Sequence, residues 1–309
     1  MNLIPDDIDF EGYFAENADE GAKVKPAGEW VNEVIDRFYG DASPANWTHT
    51  GFEKTRDKFA FRQGEVSIWA GVNGHGKTTF LSHAMLNVMA DGAKVCLMSL
   101  EMKPAETMAK MTRQALGLDS PSIAFIKSFH RWTDNRLWIY DHLGRLAPTR
   151  ALAVATYVRK ELGIEHLVID SLMKCGVGVD DYTAQKDFVD GLCAIARDTG
   201  LHIHLVCHMR KGENERMAPG KFDVKGAGEI TDLVDNVLIV WKNIGKQPTK
   251  PNEATDETKP DAFVRVAKQR HHSWEGSFAF WFDKDSQQFL EHEKARPFGI
   301  VRMEEVEQF

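Results

Sequence analysis

The sequence has no long hydrophobic run and no amino-terminal targeting pattern. None of its apolar stretches approaches the roughly 18 residues that a helix needs to cross a bilayer. The first residues, MNLIPDDIDFEGYF, are acidic and interrupted by Pro5, so they lack the composition of a secretory signal peptide. We therefore expect no membrane association and a cytoplasmic location.

Cysteine is scarce and unpaired in the sequence. Cys96, Cys175, Cys193 and Cys207 lie far apart, and no CxxC pair is present. This spacing argues against a disulfide framework and against a zinc site, because both need cysteines in close groups. We expect buried, reduced thiols.

A strong excess of basic charge is also missing. The net charge is −8, from 46 acidic and 38 basic residues, which argues against a chain covered with nucleic acid. A local basic groove stays open, because recognition depends on where the charges lie. Hydrophobic residues make up 43% of the 309 positions, enough for one large domain with appendages.

Apolar runs typical of buried strands alternate with helical patterns from residue 64 onward. Helical spacing occurs near residues 77–90, 103–117, 148–162 and 184–199. The alternation predicts an α/β domain with a mainly parallel sheet flanked by helices. Three later runs without helices between them predict antiparallel strands at one edge: FVRVAKQR, SFAFWF and QQFLE. The earlier strand candidates are EVSIWAGV, KVCLMSL, LWIYD, HLVID, HIHLVC and NVLIVW.

The composition changes along the chain and predicts four parts. Residues 1–26 are acidic and polar and predict a flexible arm, and residues 27–42 hold a helix. Residues 43–290 form the main domain, and residues 291–309 form an acidic tail. The helix carries an apolar stripe with no sequence neighbour to pack on: Trp30, Val31, Val34, Ile35 and Phe38.

The stretch GVNGHGKTTF, residues 71–80, completes the pattern GxxxxGK[ST] between a predicted strand and a predicted helix. Such a loop points successive backbone N–H groups at phosphate oxygens, with the helix amino terminus behind them. Lys77 then reaches the β- and γ-phosphates of ATP or another nucleoside triphosphate, and Thr78 ligates Mg²⁺. The predicted nucleotide-binding residues are Gly71, Asn73, Gly74, His75, Gly76, Lys77, Thr78 and Thr79.

Three polar side chains end predicted strands and are candidates for the same site. Asp170 ends HLVID and is placed to hold the metal through water. Glu101 follows KVCLMSL, where it is either the base that polarises the attacking water or an acid that stabilises the next helix. His208 ends HIHLVCH, where it is either structural or a sensor of the γ-phosphate, whereas His204 faces the other side and is treated as core.

Two groups of cations have both a structural and a functional interpretation. Lys268 and Arg270 lie two apart on one strand face, where they either protect an edge strand or reach the phosphates of an adjacent subunit. The glycine-containing loop 211–228 is either a solvated loop or a finger that holds a nucleic-acid backbone. With the residue before it, its cations are Arg210, Lys211, Arg216, Lys221 and Lys225.

Six motifs in order resemble the helicase domain of the RecA-like ring helicases, a group that includes DnaB, the phage primase–helicases and mitochondrial Twinkle. The motifs are GVNGHGKT, SLEM, HLVIDS, VCHMRK, KGAGEITDLVDNVLIV and AKQR, within about residues 28–290. His208 is closer to the phage primase–helicase and Twinkle branch, because DnaB carries glutamine at that position.

The resemblance implies a RecA-like P-loop NTPase fold and an ATP-dependent DNA helicase that moves 5′ to 3′ on single-stranded DNA as a homohexameric ring. It implies that Glu101 is the catalytic base, that His208 is the phosphate sensor, and that Asp170 belongs to the Mg²⁺ shell with Thr78. It further implies that Lys268 and Arg270 act in the neighbouring subunit's site and that helix 28–39 docks on a neighbour. Its DNA-holding segments correspond to residues 176–183 and to the loop after His208.

The chain also departs from the family pattern. Only an acidic arm precedes the helicase part, so we do not expect priming, although a primase, polymerase or loader is an expected partner. The tail ends in Phe309 after several glutamates and resembles polymerase-docking tails of phage replication proteins, with a solvated tail as the alternative. Two other functions stay open: a RecA-type recombinase, and a nucleotide-gated ring scaffold that does not unwind DNA.

Overall fold

The computed structural model describes residues 2–3, 26–32, 34–35, 47–178, 181–209, 223–224, 228–246 and 255–301. The strands are β1 (Asn2–Leu3), β2 (Trp47–Thr48), β3 (Phe61–Arg62), β4 (Val66–Gly71), β5 (Val95–Ser99), β6 (Leu137–Ile139), β7 (His166–Asp170), β8 (His202–His208), β9 (Asn236–Lys242), β10 (Ala262–Gln269), β11 (Gly276–Phe282) and β12 (Phe289–Leu290). The helices are α1 (Lys77–Ala90), α2 (Pro104–Leu116), α3 (Ile123–Trp132), α4 (Pro148–Lys160), α5 (Tyr182–Thr199) and the short α6 (Ile230–Leu233).

One large sheet organises the described part of the chain. Its strand order is β1-β6-β5-β7-β8-β4-β9-β10-β11-β12, and β2 and β3 pair separately. The strands from β6 to β9 in this order run parallel, whereas β10, β11 and β12 are added antiparallel to the β9 edge. The predicted α/β fold, with a mainly parallel sheet and antiparallel strands near the carboxyl end, is confirmed.

Helices cover both faces of the sheet, which explains why its strands are almost wholly apolar. On one face α4 and α5 pack over Ile68 and Ala70, and on the other α1, α2 and α3 pack over Trp69. Helix α3 is an addition to the predicted set. It begins at Ser122, whose hydroxyl accepts a hydrogen bond from Phe125 N. All four cysteines are buried and free, as expected.

The strand register places the candidate catalytic residues at one edge of the sheet. Asp170 pairs with Ser99 on one side and with Val206 on the other, and His208 pairs with Gly71. Ser99, Asp170, His208 and Gly71 each end a parallel strand, so the carboxyl ends of these strands form one row. Residues that are 36 to 137 positions apart in sequence are thereby brought within contact distance.

The ends of the described chain lie on the same domain. Asn2–Leu3 pair in parallel with Trp138 and Ile139 of β6. Near the other end, Ile300 N donates to Ala115 O of α2, and Val301 is buried. The predicted boundaries of the four parts stay predictions, because residues 4–25 and 302–309 lie outside the described residues. Within the described residues, no helix is both long and apolar enough to cross a membrane.

A chain of hydrogen bonds between buried side chains stabilises the centre of the sheet. Trp69 Nε1 donates to His204 Nδ1 at 3.1 Å, so His204 carries its proton on Nε2 and donates to His166 Nδ1, also at 3.1 Å. His166 then donates from Nε2 to Thr48 Oγ1 at 2.9 Å. Each ring is neutral in this arrangement, and the interpretation of His204 as a core residue is confirmed.

These buried rings predict a loss of stability in mild acid. Burial lowers the pKa of His83 to about 3 and that of His202 to about 4, and it lowers the pKa values of His166 and His204 well below the usual range. The unfolded chain binds these protons near pH 6.5, so stability is complete above about pH 7 and falls as pH drops towards the folded pKa values. Urea unfolding between pH 7.5 and pH 5 measures this slope.

His83→Gln should reduce that slope by about 1.4 kcal/mol per pH unit, the contribution of one proton. Phe52→Leu is the matched control, since its ring lies 4.9 Å from the ring of His83 and does not titrate. It should lower the free energy of unfolding equally at every pH. An identical pH slope in His83→Gln and in the unmodified chain would contradict the account.

Candidate nucleotide site

The loop between β4 and α1 is built for a close approach of backbone to phosphate. Gly76 has a φ of +86° and directly precedes α1, a conformation that residues with a Cβ rarely adopt. At Gly71 an added Cβ would lie 2.4 Å from Val240 O of the neighbouring strand. Phe80 N already bonds to Gly76 O within the helix, while the first N–H groups of α1 face the loop.

Lys77 is folded back over this loop. Its Nζ donates to Gly71 O at 3.0 Å and to Val72 O at 3.2 Å, and the side chain is buried. Burial lowers the pKa of Lys77, and the nearby carboxylates of Asp170 and Glu101 oppose this effect. The ammonium therefore lies in a poorly solvated position where the negative charge of a triphosphate would stabilise it.

Thr78 and Asp170 form a pair of hard oxygen ligands beside the loop. Thr78 Oγ1 donates to Asp170 Oδ2 at 2.6 Å. Burial raises the pKa of Asp170, while the bond from Thr78 acts in the opposite direction. No group of three or more histidine, cysteine, aspartate or glutamate side chains suited to a metal occurs among the described residues. A hydroxyl and one carboxylate fit Mg²⁺, which takes its other ligands from phosphate and water.

Glu101 and His208 meet through Ser171, which directly follows Asp170. Ser171 Oγ donates to Glu101 Oε1 at 3.0 Å and lies 3.4 Å from His208 Nε2. The distance from His208 Nε2 to Glu101 Oε1 is 3.7 Å. Burial, followed by the charge of Lys77, lowers the pKa of His208. The predicted base and sensor are thus brought together, and Glu101 stays 38% exposed and open to water.

The strand that ends in His208 leads directly into the predicted DNA loop. Met209 N donates to Gly71 O at 3.2 Å, and Met209 pairs with Val224 in an antiparallel bridge. Both residues are buried, so the two described residues that flank segment 210–223 lie side by side next to the phosphate loop. The predicted DNA-binding residues themselves lie outside the described residues: Arg210, Lys211, Arg216, Lys221 and Lys225.

Lys268 and Arg270 lie together, as predicted, but away from the phosphate loop of their own chain. Lys268 Nζ donates to carbonyls at the end of α6, those of Thr231, Asp232 and Val234, at 2.7–2.9 Å. Arg270 Nη2 donates to Leu233 O at 3.1 Å, and its side chain is 47% exposed. Action on a neighbouring subunit stays a prediction for both residues.

A cavity of about 290 Å³ adjoins the phosphate loop. Thr79 lines one side of it, and Phe282 and Gln287 line the other. Gln114 Nε2 donates to both Thr79 O and Gln287 O at 2.9 Å, and its side chain is completely buried. Helix α2 therefore fixes the two walls of the cavity relative to each other.

Sequence reasoning missed Ser171 and Gln114. Ser171 has a recognisable signal, because it follows a carboxylate at the end of a buried parallel strand. Gln114 has none, since its role depends on contacts with residues 35 and 173 positions away.

Comparisons with known proteins show the family and the fold of this chain. The model of the family described as AAA domain matches residues 46–214, more than half of the chain. A DNA helicase/primase of Enterobacteria phage T3 is 25% identical over 217 residues, which cover 62% of this chain and 37% of the relative. The match thus spans well under half of that relative's length.

Two solved structures share the fold. The ATPase domain of G40P has a TM-score of 0.72 at 17% identity, covering 87% of this chain and 99% of that one. A DnaB-like replicative helicase, described with its interactions with primase, has a TM-score of 0.69 at 16% identity, covering 86% of this chain and 67% of that one. The chain therefore belongs to the AAA domain family and has the RecA-like fold of the DnaB-like replicative helicases.

Proposed function

We propose that this protein is a ring-shaped DNA helicase that couples nucleoside triphosphate hydrolysis to movement along single-stranded DNA, in the 5′ to 3′ direction. The observation that carries the proposal is the junction at His208. Strand β8 ends in His208, which contacts the candidate base Glu101 through Ser171. The next residue, Met209, pairs with Val224, and the segment between these two residues carries several cations. The phage T3 relative is described as a DNA helicase/primase, which supports the same activity.

The phosphates would lie over the loop 71–79, with Lys77 next to the β- and γ-phosphates. Thr78 would ligate Mg²⁺ and Asp170 would hold it through water, which would supply charge neutralisation at the transferred phosphoryl group. Burial lowers the pKa of Lys77 and raises the pKa of Asp170, so the charged form of each group is disfavoured. A triphosphate with Mg²⁺ would give each charge a partner, which supports this assignment.

Glu101 would orient and deprotonate the water that attacks the γ-phosphate. Its carboxylate is exposed on the site side and is held by one hydrogen bond from Ser171. A base in this position needs access to water and a fixed orientation, and the arrangement provides both. The nucleoside would extend from the loop into the adjoining cavity, where Phe282 offers a flat apolar face.

His208 would transmit a change at the γ-phosphate to the loop expected to bind DNA. A change at its ring moves the end of β8, and Met209 and Val224 would transmit this change to the ends of the loop. The cations expected in that loop would hold the DNA backbone, so hydrolysis would become displacement of the strand.

Assembly into a ring would use an apolar helix and an apolar groove of the same chain. The helical residues Val31, Val34 and Ile35 are each about half exposed. A groove of about 700 Å³ between α2 and α3 is lined by Met108 and Ile126, among other residues. A helix on one copy that fills a groove on the next makes a head-to-tail contact, which closes into a ring when the rotation allows.

Arg270 would enter the site of the neighbouring subunit and stabilise the charge that develops on the transferred phosphate. Its side chain is 47% exposed and forms an ion pair with Asp235 at 3.5 Å, and the described contacts include no link to its own phosphate loop, which supports this role. Lys268 would orient the same segment through its three carbonyl contacts.

Glu101→Gln tests the catalytic assignment. The carboxamide cannot accept the proton of water, so turnover should fall by roughly 10²–10⁴-fold while nucleotide and DNA binding persist. Unwinding of forked DNA with a 5′ or a 3′ tail, measured with the same preparation, tests motor and polarity together.

Glu106→Gln is the matched control, since Glu106 is an exposed acid in the first turn of α2. It should change turnover by less than about twofold, within the usual effect of a surface substitution. Wild-type turnover in Glu101→Gln would exclude this residue as the base. Hydrolysis without unwinding of either fork in the unmodified protein would favour the scaffold over the motor.

Val34→Asp and Arg270→Ala together test the shared site. Val34→Asp places a charge in the apolar contact and should yield monomers that bind nucleotide but hydrolyse it slowly. Arg270→Ala should keep the ring and the nucleotide affinity while turnover falls by roughly 10³-fold. Light scattering, nucleotide titration and steady-state hydrolysis provide the three measurements.

Asn32→Asp adds the same charge to the same exposed helix without removing an apolar side chain, and it should leave the assembly intact. A fully active monomer of Val34→Asp would show that one chain contains a complete site. A loss of nucleotide affinity in Arg270→Ala as large as its loss of turnover would argue against action in trans.

A further inference from the structure

The buried hydroxyl of Ser171 is the one group that touches both Glu101 and His208 among the described residues. Its side chain is completely buried, and it follows the last residue of β7. Neither Glu101 nor His208 has another side-chain hydrogen bond in this part of the chain. Their own separation of 3.7 Å is too long for a direct hydrogen bond.

The hydrogen positions at this junction follow from the chemistry of its three groups. A serine hydroxyl has one proton, and it goes to the carboxylate of Glu101 because a charged acceptor binds it more strongly. The serine oxygen then has only lone pairs for His208, so the imidazole must donate from Nε2. The burial that lowers the pKa of His208 is consistent with a neutral ring of this tautomer.

The other ring nitrogen is left without compensation. His208 Nδ1 is buried and has no hydrogen-bond partner among the described residues. A buried acceptor without a partner costs free energy, so this position of the ring is held by a single long bond and is easily exchanged for a better one.

Building on the proposed function, we infer that Ser171 is a positioning residue that links hydrolysis to DNA. Without nucleotide, the hydroxyl oxygen of Ser171 accepts a hydrogen bond from His208 Nε2–H. The hydroxyl proton of Ser171 is donated to Glu101 and orients that carboxylate. A γ-phosphate oxygen is a stronger acceptor than a neutral hydroxyl and draws the Nε2–H away. His208 and the loop ends at Met209 then move, and Ser171 continues to orient the base. Ser171 thereby couples the position of the DNA loop to the orientation of the catalytic base Glu101.

The test is the stimulation of hydrolysis by DNA, given as the ratio of turnover with and without oligo(dT). Ser171→Ala should bring this ratio close to one at unchanged nucleotide affinity, losing a coupling of roughly 5–150-fold. His208→Ala should likewise bring the ratio close to one, and the double variant should have no lower ratio than either single one. Ser171→Thr, which keeps the hydroxyl, should restore stimulation.

A purely structural role would lower both turnovers in proportion and preserve the ratio, which would overturn the inference. So would a ratio in the double variant equal to the product of the two single effects. If Ser171→Ala does not fold, ¹⁵N resonances of His208 in the unmodified protein decide instead, since an Nδ1–H tautomer in the empty site contradicts the link. An unmodified protein without any stimulation by DNA would overturn the proposed function itself.

Discussion

Parallel pairing of β5, β7, β8 and β4 is the constraint on which the rest of the structure depends. Strands β5, β7 and β8 end in the polar residues Ser99, Asp170 and His208, β4 ends in Gly71 at the start of the phosphate loop, and the register puts these strand ends in a single row. The apolar runs that make the strands buried on both faces also determine where they end. The chemistry of the site therefore follows from the packing of the core, since a slip of one residue would turn Asp170 or His208 away from the phosphate loop.

The burial of charged and polar groups is the second theme of the site. Lys77 and Asp170 are both buried beyond what their charges favour, and the pKa of each is shifted towards its neutral form. His208 Nδ1 lacks a partner among the described residues. A site that is this poorly satisfied when empty gains most from a ligand that carries both negative charge and a metal ion, because each group is then compensated at once.

Much of this arrangement is readable from the sequence. A helix was predicted near residues 77–90, where the structure has Lys77–Ala90, and Asp170, Glu101 and His208 were found because polar residues at the ends of apolar runs are conspicuous. Ser171 and Gln114 were missed, since their roles arise from contacts between segments that only the folded sheet brings together. The distance of Lys268 from its own phosphate loop follows from the antiparallel pairing of β10, whose last residue, Gln269, lies opposite Asn236 at the start of β9.

The central claim is that one row of strand ends forms a triphosphate site whose γ-phosphate faces Glu101 and His208. A structure of the assembled protein with Mg²⁺ and a non-hydrolysable ATP analogue tests it most directly. The account predicts the triphosphate on loop 71–79, Mg²⁺ beside Thr78 and Asp170, and the γ-phosphate within hydrogen-bond distance of Lys77 and His208. A triphosphate bound elsewhere, or a γ-phosphate directed away from Glu101 and His208, would contradict it.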